Sequence, residues 1–397
     1  MTDVLTASVL PRPVRAAPSL WVRGPVWDAV FIQNALWLLP LVLLLAWGSA
    51  ARLDGLYFAI TALFWIGHRL TSTWLAYGTQ AYRPLLKAEP VRFVAIPLAV
   101  AVLCFAILLP PDGALPWPRT ERVILLAILD YAFNTWHFAA QHFGALSLYR
   151  GRAGRSAERD TRRIDRIFAL GIGGALIFVA DLIAGSVAYP DRWLGPLPSW
   201  FAAEQHPIRL CAMILLAAAT AAMLIAELRA TRPSVPRVLY VLGLAAMAAV
   251  ALQPRSVFLF LVIWTSQHWI LAVGLGAQTP ARAPSCAGGA LARALHALNA
   301  SPAALMVFMI LISVTLLPLF EVEANWQTPG AVWYGDRIFG AFATALRSSV
   351  WVPALLALGF ATGFVHYLLD RAVYRFSDPR VRVAAAGLVS PRQASAQ

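Results

Sequence analysis

Charge, lysine and cysteine are all scarce in this chain of 397 residues. Only 13% of the residues are charged, against about a quarter in an ordinary soluble domain, which excludes that class. Lysine occurs once, at Lys87, so a net charge of +13 is carried almost entirely by arginine. Its placement in loops explains this charge without a nucleic-acid partner. The three cysteines, Cys104, Cys211 and Cys286, lie far apart and form no CxxC pair. That spacing excludes a disulfide framework and a cysteine-based zinc or iron-sulfur site. The first 25 residues have no continuous apolar core, because Pro11, Arg12, Pro13, Arg15 and Arg23 interrupt them, so a cleaved signal peptide is not expected.

What the chain has instead is apolar sequence: 60% of its residues are hydrophobic, and 15 are tryptophan. Runs of about 20 apolar residues cross a bilayer as helices, since every backbone polar group must be satisfied within the segment. The expected fold is therefore all-α, a polytopic integral membrane bundle of about ten transmembrane helices. The spans fall near 28–48, 56–77, 91–109, 123–149, 167–188, 208–228, 236–253, 256–277, 303–320 and 349–373. Arginine placement orients them. Arg83, Arg92, the run from Arg150 to Arg163, Arg229, Arg232, Arg282 and Arg293 mark cytosolic loops, whereas Asp112, Asp191, Glu204, Glu321, Glu323 and Asp336 mark the opposite side. Both termini are then cytosolic. Residues 1–25 read as an N-terminal tail, 26–376 as one transmembrane domain and 377–397 as a C-terminal tail. The short apolar segment from Ile338 to Leu346 suits an interfacial or re-entrant helix. A bacterial-type inner membrane is the expected location.

Five histidines lie inside the apolar runs: His68, His137, His142, His268 and His366. On the expected topology their spans all run from outside to inside, with each histidine roughly 10–18 Å from the cytosolic helix end. Intramembrane ionisable residues are costly and default to a functional reading. Neutral imidazole is the commonest ligand for transition metals, so histidines converging on one layer suggest iron, copper or zinc. Asp370, four residues after His366 on the same helical face, reads as a further ligand or as a group orienting one. Asp130, Asn134, His137 and Gln141 form a polar stripe at helical spacing. His142 breaks that stripe, standing roughly 140° from His137. Either a π-bulge near Gly144 brings the two together, or one is a ligand and the other a neighbour.

Arg69, beside His68, is placed to hold an anionic group, to pair with Asp370 or to snorkel. Asp130 and Asp181 lie toward the outer leaflet, where pairing with a polar neighbour or proton carriage are the alternatives. His206 and His296 read as surface residues. The arginine run from Arg150 to Arg166 reads as the positive-inside signal, or else as a docking surface for acidic lipid or an acidic redox partner.

The HxxxxH spacing of His137 and His142, with further histidines on other helices, resembles the histidine boxes of membrane non-haem iron enzymes: fatty-acid desaturases, hydroxylases and alkane monooxygenases. More loosely, it is similar to the bacterial carotene-cleaving dioxygenases. The chain departs from the desaturase pattern in having no HxxHH box. The resemblance implies one or two non-haem irons, dioxygen as co-substrate and oxidation of a lipophilic substrate; by their own placement Arg69, Asn134 and Asp370 are the candidate catalytic groups. An electron donor would dock at the basic face. A haem b protein and a proton-coupled transporter are the alternatives. A histidine site of this kind predicts that His68→Ala, His268→Ala or His366→Ala each lowers bound metal in elemental analysis of purified protein. His206→Ala should leave it unchanged.

Overall fold

A computed structural model describes residues 19–156, 158–176, 200, 203–253, 257–278, 289–326 and 331–389. All regular structure among them is helical. Five helices are long and apolar enough to cross a membrane: Val91–Leu108, Arg119–Arg152, Gln205–Leu228, Pro302–Asn325 and Val352–Val373. A sixth arises if Pro25–Phe31 and Ala35–Gly48, bent by 46°, count as one span. Helical structure also occupies the expected second, seventh and eighth spans, as a near-continuous stretch from Ala50 to Gly78 and as Val235–Ala251 and Val257–Gly276. Of the expected span 167–188, residues up to 176 are described; Asp181, Asp191, Arg282 and Cys286 lie outside the described residues.

The outward surface is apolar, as a bilayer requires: Leu98, Val102, Ile214, Leu215, Val307 and Leu311 are each more than half exposed. Helix starts follow local chemistry. Ser301 accepts the amide of Ala304 at 3.2 Å, and Pro302 follows it at the first helical position. The break in the first span is filled by polar side chains that find backbone partners. Asn34 donates to the Gln267 carbonyl at 2.9 Å, and Gln33 donates to the Pro236 carbonyl at 2.9 Å. Close approach is needed at Gly67, where a Cβ would stand 2.6 Å from the Met309 carbonyl oxygen. This contact seats the His68 turn against Pro302–Asn325.

Buried charges tie four helices together at one end of the bundle. Asp165 accepts from both Arg150 and Arg237, while Glu227 accepts from Arg155 at 3.0 Å, from Arg237, and from the Ser234 amide at 2.6 Å. Arg150 and Arg155 are thus buried structural cations, unavailable for docking, so a docking surface on this run excludes these two. At the other end Glu321 accepts the amides of Tyr334 and Gly335 at 2.7 Å. Glu321 and Glu323 belong to the helix Pro302–Asn325 rather than to a loop. The segment from Ile338 to Leu346 lies in two short helices that meet at Gly340, whose φ of 53° is the left-handed region glycine favours.

The chain after residue 377 is also more than a tail. Val381, Ala384, Ala385 and Leu388 are buried with Leu75, Tyr82 and Leu369. Arg23 donates to the Gly387 carbonyl at 2.9 Å, so the two described ends meet on one face of the bundle.

Because removing one member of a buried ion cluster strands its partners, Glu227→Gln should destabilise the protein by about 3–5 kcal/mol. The readout is a lower thermal midpoint in detergent. Arg163→Ala, at an exposed position, should stay within about 0.5 kcal/mol of wild type.

Candidate metal centre

Four imidazoles from four helical segments close a nearly square ring. Neighbouring ring centroids stand 5.0 Å apart for His68–His268, 4.7 Å for His268–His137, 4.8 Å for His137–His366 and 4.9 Å for His366–His68. Each neighbour is turned 69–90° from the last. All four side chains are buried. Nε2 of His137 lies 3.1 Å from Nε2 of His268. That is the separation of two adjacent ligands on one metal with bonds of about 2.1 Å. Asp370 closes one edge, with Oδ2 3.6 Å from His137 Nε2 and Oδ1 3.5 Å from His366 Nδ1. Two overlapping groups have ligand atoms mutually within 4.8 Å: His68 with His268 and His366, and His137 with His366 and Asp370.

The local fold aims these rings. A π-helical turn, Thr61–Trp65, precedes His68, and the Trp65 carbonyl accepts a hydrogen bond from His68 Nδ1. Since a carbonyl can only accept, the proton sits on Nδ1 and leaves Nε2 with its lone pair. His268 Nδ1 likewise meets the Gln141 side-chain oxygen, leaving Nε2 toward His137. Ser72 Oγ lies 3.3 Å from His366 Nδ1, while His366 Nε2 is a buried nitrogen without a hydrogen-bond partner. Such partners fix ring orientation and ligand basicity. Trp65, Phe138 and Trp269 wall the site with buried aromatic surface.

His142 stands outside the ring. Its helix, Arg119–Arg152, runs as unbroken α-helix without a π-bulge, so the two histidines point apart. His142 Nδ1 shares a 2.7 Å hydrogen bond with the Tyr240 hydroxyl, and its ring packs on Trp264 at 5.5 Å. Beside it is a cavity with about 10 Å³ of room for a water centre, lined also by Gln33, Tyr240 and Gln267. Three buried atoms of this lining, His142 Nε2, Gln33 Oε1 and Gln267 Oε1, have no hydrogen-bond partner. A site of that size and polarity suits one ordered water.

Arg69 turns away from Asp370, forming a 3.1 Å ion pair with Glu323 and donating to the Gly359 carbonyl at 3.1 Å. The sequence places Glu323 in a loop, whereas the helix Pro302–Asn325 carries it inward to this pair. Asp130 accepts a 3.1 Å hydrogen bond from Tyr367, whose ring packs 5.2 Å from that of His137. These residues form a second polar layer beside the imidazole ring. Asn134 is half-buried, in neither ligand group and without a side-chain hydrogen bond among the described residues. His206 is exposed, and His296 is half-buried on the helix Ala290–Ala300. The residues not foreseen as functional are Ser72, Tyr367 and Glu323, together with Gln141 as an orienting group. Only Gln141, one turn beyond His137 on the polar stripe, carried a sequence signal.

No family model matches this chain, and no curated protein or solved structure matches it either. The geometry itself separates the four-imidazole ring, which could hold a metal ion, from His142 beside it. Gln141→Leu should weaken metal binding by about 10–100-fold through loss of His268 orientation. His142→Ala should leave affinity unchanged. Metal titration monitored by competition with a chromophoric chelator gives both values.

Proposed function

We propose that this protein is an integral membrane oxidoreductase with a non-haem iron centre held by His68, His137, His268, His366 and Asp370. The observation that carries the reading is the buried near-square of four imidazoles with a carboxylate on one edge. A nitrogen-rich set with one carboxylate suits iron, with copper or zinc as chemically allowed substitutes. One or two iron ions would supply dioxygen activation. The chain's own residues do the rest: the Trp65 carbonyl and Gln141 hold two rings in one tautomer, Asp370 offsets cationic charge, and the aromatic wall excludes water.

Two axial ligands of one haem iron stand about 4.2 Å apart, twice a bond of about 2.1 Å. The 3.1 Å separation of His137 and His268 instead favours adjacent ligands on one ion.

Burial of the centre within apolar helices supports a lipophilic substrate entering laterally between them, such as a fatty acyl chain, isoprenoid or carotenoid. If the reaction consumes electrons, a separate donor supplies them; a dioxygenase needs none. In this reading about ten helices cross a bacterial-type inner membrane with both termini cytosolic. The hydrogen bond from Arg23 to Gly387 supports an even number of crossings.

The test is elemental analysis and an optical spectrum on protein purified without chelator, followed by oxygen consumption with lipophilic substrates. The reading predicts one or two irons per chain, no Soret band, and substrate-dependent oxygen uptake that His366→Ala abolishes. A Soret band would assign haem, and metal-free proton-driven uptake of a solute would assign transport; either result overturns the proposal.

A further inference from the structure

The short helix Arg159–Phe168 begins a few residues after the end of Arg119–Arg152, and its two faces differ sharply. One face is fixed inward by Asp165, buried between Arg150 and Arg237, and by buried Phe168. The opposite face presents Arg159, Arg162, Arg163 and Arg166, all exposed. Spaced i, i+3, i+4 and i+7, they occupy about 100° of the helix. None of the four makes an ion pair or side-chain hydrogen bond among the described residues. The nearby acids compensate little: Glu158 is engaged by Arg155 at 2.9 Å and by Thr161 at 2.7 Å, leaving exposed Asp160 alone. The charge ends abruptly. After Arg166 comes Ile167, 63% exposed, and then the apolar π-helical segment Ala169–Leu176, which packs on Arg119–Arg152.

We propose that Arg159, Arg162, Arg163 and Arg166 form a binding face for the phosphate headgroups of anionic phospholipid. The change from arginine to apolar residues at Ile167 marks the depth where headgroups give way to acyl chains, so the guanidinium groups lie at phosphate level. Guanidinium presents a planar fork that phosphate oxygens accept in pairs, and arginine beside a membrane surface attracts anionic lipid. A protein partner fits this face less well, because stable interfaces carry an apolar core with charge depleted at the centre. Here the centre is arginine. The face acts in whichever leaflet it occupies, and it is independent of the metal centre.

Native mass spectrometry of the full chain, purified in detergent and supplemented with phosphatidylglycerol or phosphatidylcholine, tests the assignment. Wild type should retain phosphatidylglycerol over phosphatidylcholine. Replacing all four arginines by alanine should cut that retention at least tenfold, and the Arg162→Ala, Arg166→Ala pair should give an intermediate loss if the quadruple variant proves unstable. A charge-removal control at exposed Arg83 and Arg375 should behave as wild type. Inorganic phosphate, at matched ionic strength, should displace no more lipid than chloride does.

Equal retention by wild type and the variants would overturn the proposal. So would indifference between the two lipids, which would leave an acidic protein partner, or selective displacement by phosphate, which would leave a free anion site.

Discussion

Four imidazoles and a carboxylate meet in the apolar interior of this bundle, and the rest of the structure is organised around holding them there. Burying that many polar groups without satisfying them costs several kcal/mol. His366 Nε2 and Asp370 Oδ1 are buried without hydrogen-bond partners. Their environment otherwise supplies partners with care: the Trp65 carbonyl, Gln141 and Ser72 each meet a ring nitrogen. Buried nitrogen left without a partner, amid rings that are otherwise oriented, is what a cation would satisfy.

Convergence from four segments requires those segments to be fixed relative to one another. Gly67 lets the His68 turn approach the Met309 backbone. The Asp165–Arg237–Glu227 cluster clamps one end of the bundle, and Glu321 with the Tyr334 and Gly335 amides closes the other. Charge thereby divides into buried ion pairs that fix helices and arginines that stay exposed, Arg159, Arg162, Arg163 and Arg166. The second polar layer, Arg69 with Glu323 and Tyr367 with Asp130, lies beside the ring, with Tyr367 packed against His137. It keeps a buried arginine from acting as a free cation beside the imidazoles.

Much of this was legible in the sequence, for identifiable reasons. A histidine inside an apolar run is conspicuous, and that alone selected the four of the ring, His68, His137, His268 and His366, together with His142, which stands outside it. The pairing of His366 with Asp370 follows from spacing on one helical face. His142 was ambiguous because helical geometry sets its angle from His137, whereas only the unbroken helix shows that no bulge removes it. The tertiary partners were not legible: Ser72 and Gln141 gain their roles from residues more than 100 positions away. Glu323 was misplaced because hydropathy falls at Glu321 while the helix continues to Asn325. The segment after residue 377 read as a tail because its arginines dominate composition. Its Val381, Ala384 and Leu388 nevertheless carry the spacing of a buried helical face, and that signal was available.

The most direct test of the central claim is X-ray absorption spectroscopy at the iron edge on protein loaded with ferrous iron. The account predicts a first shell of nitrogen and oxygen at about 2.1 Å with the outer-shell scattering of several imidazoles. That imidazole signature should shrink in His268→Ala. A shell without imidazole scattering, or one unchanged by the substitution, would contradict it.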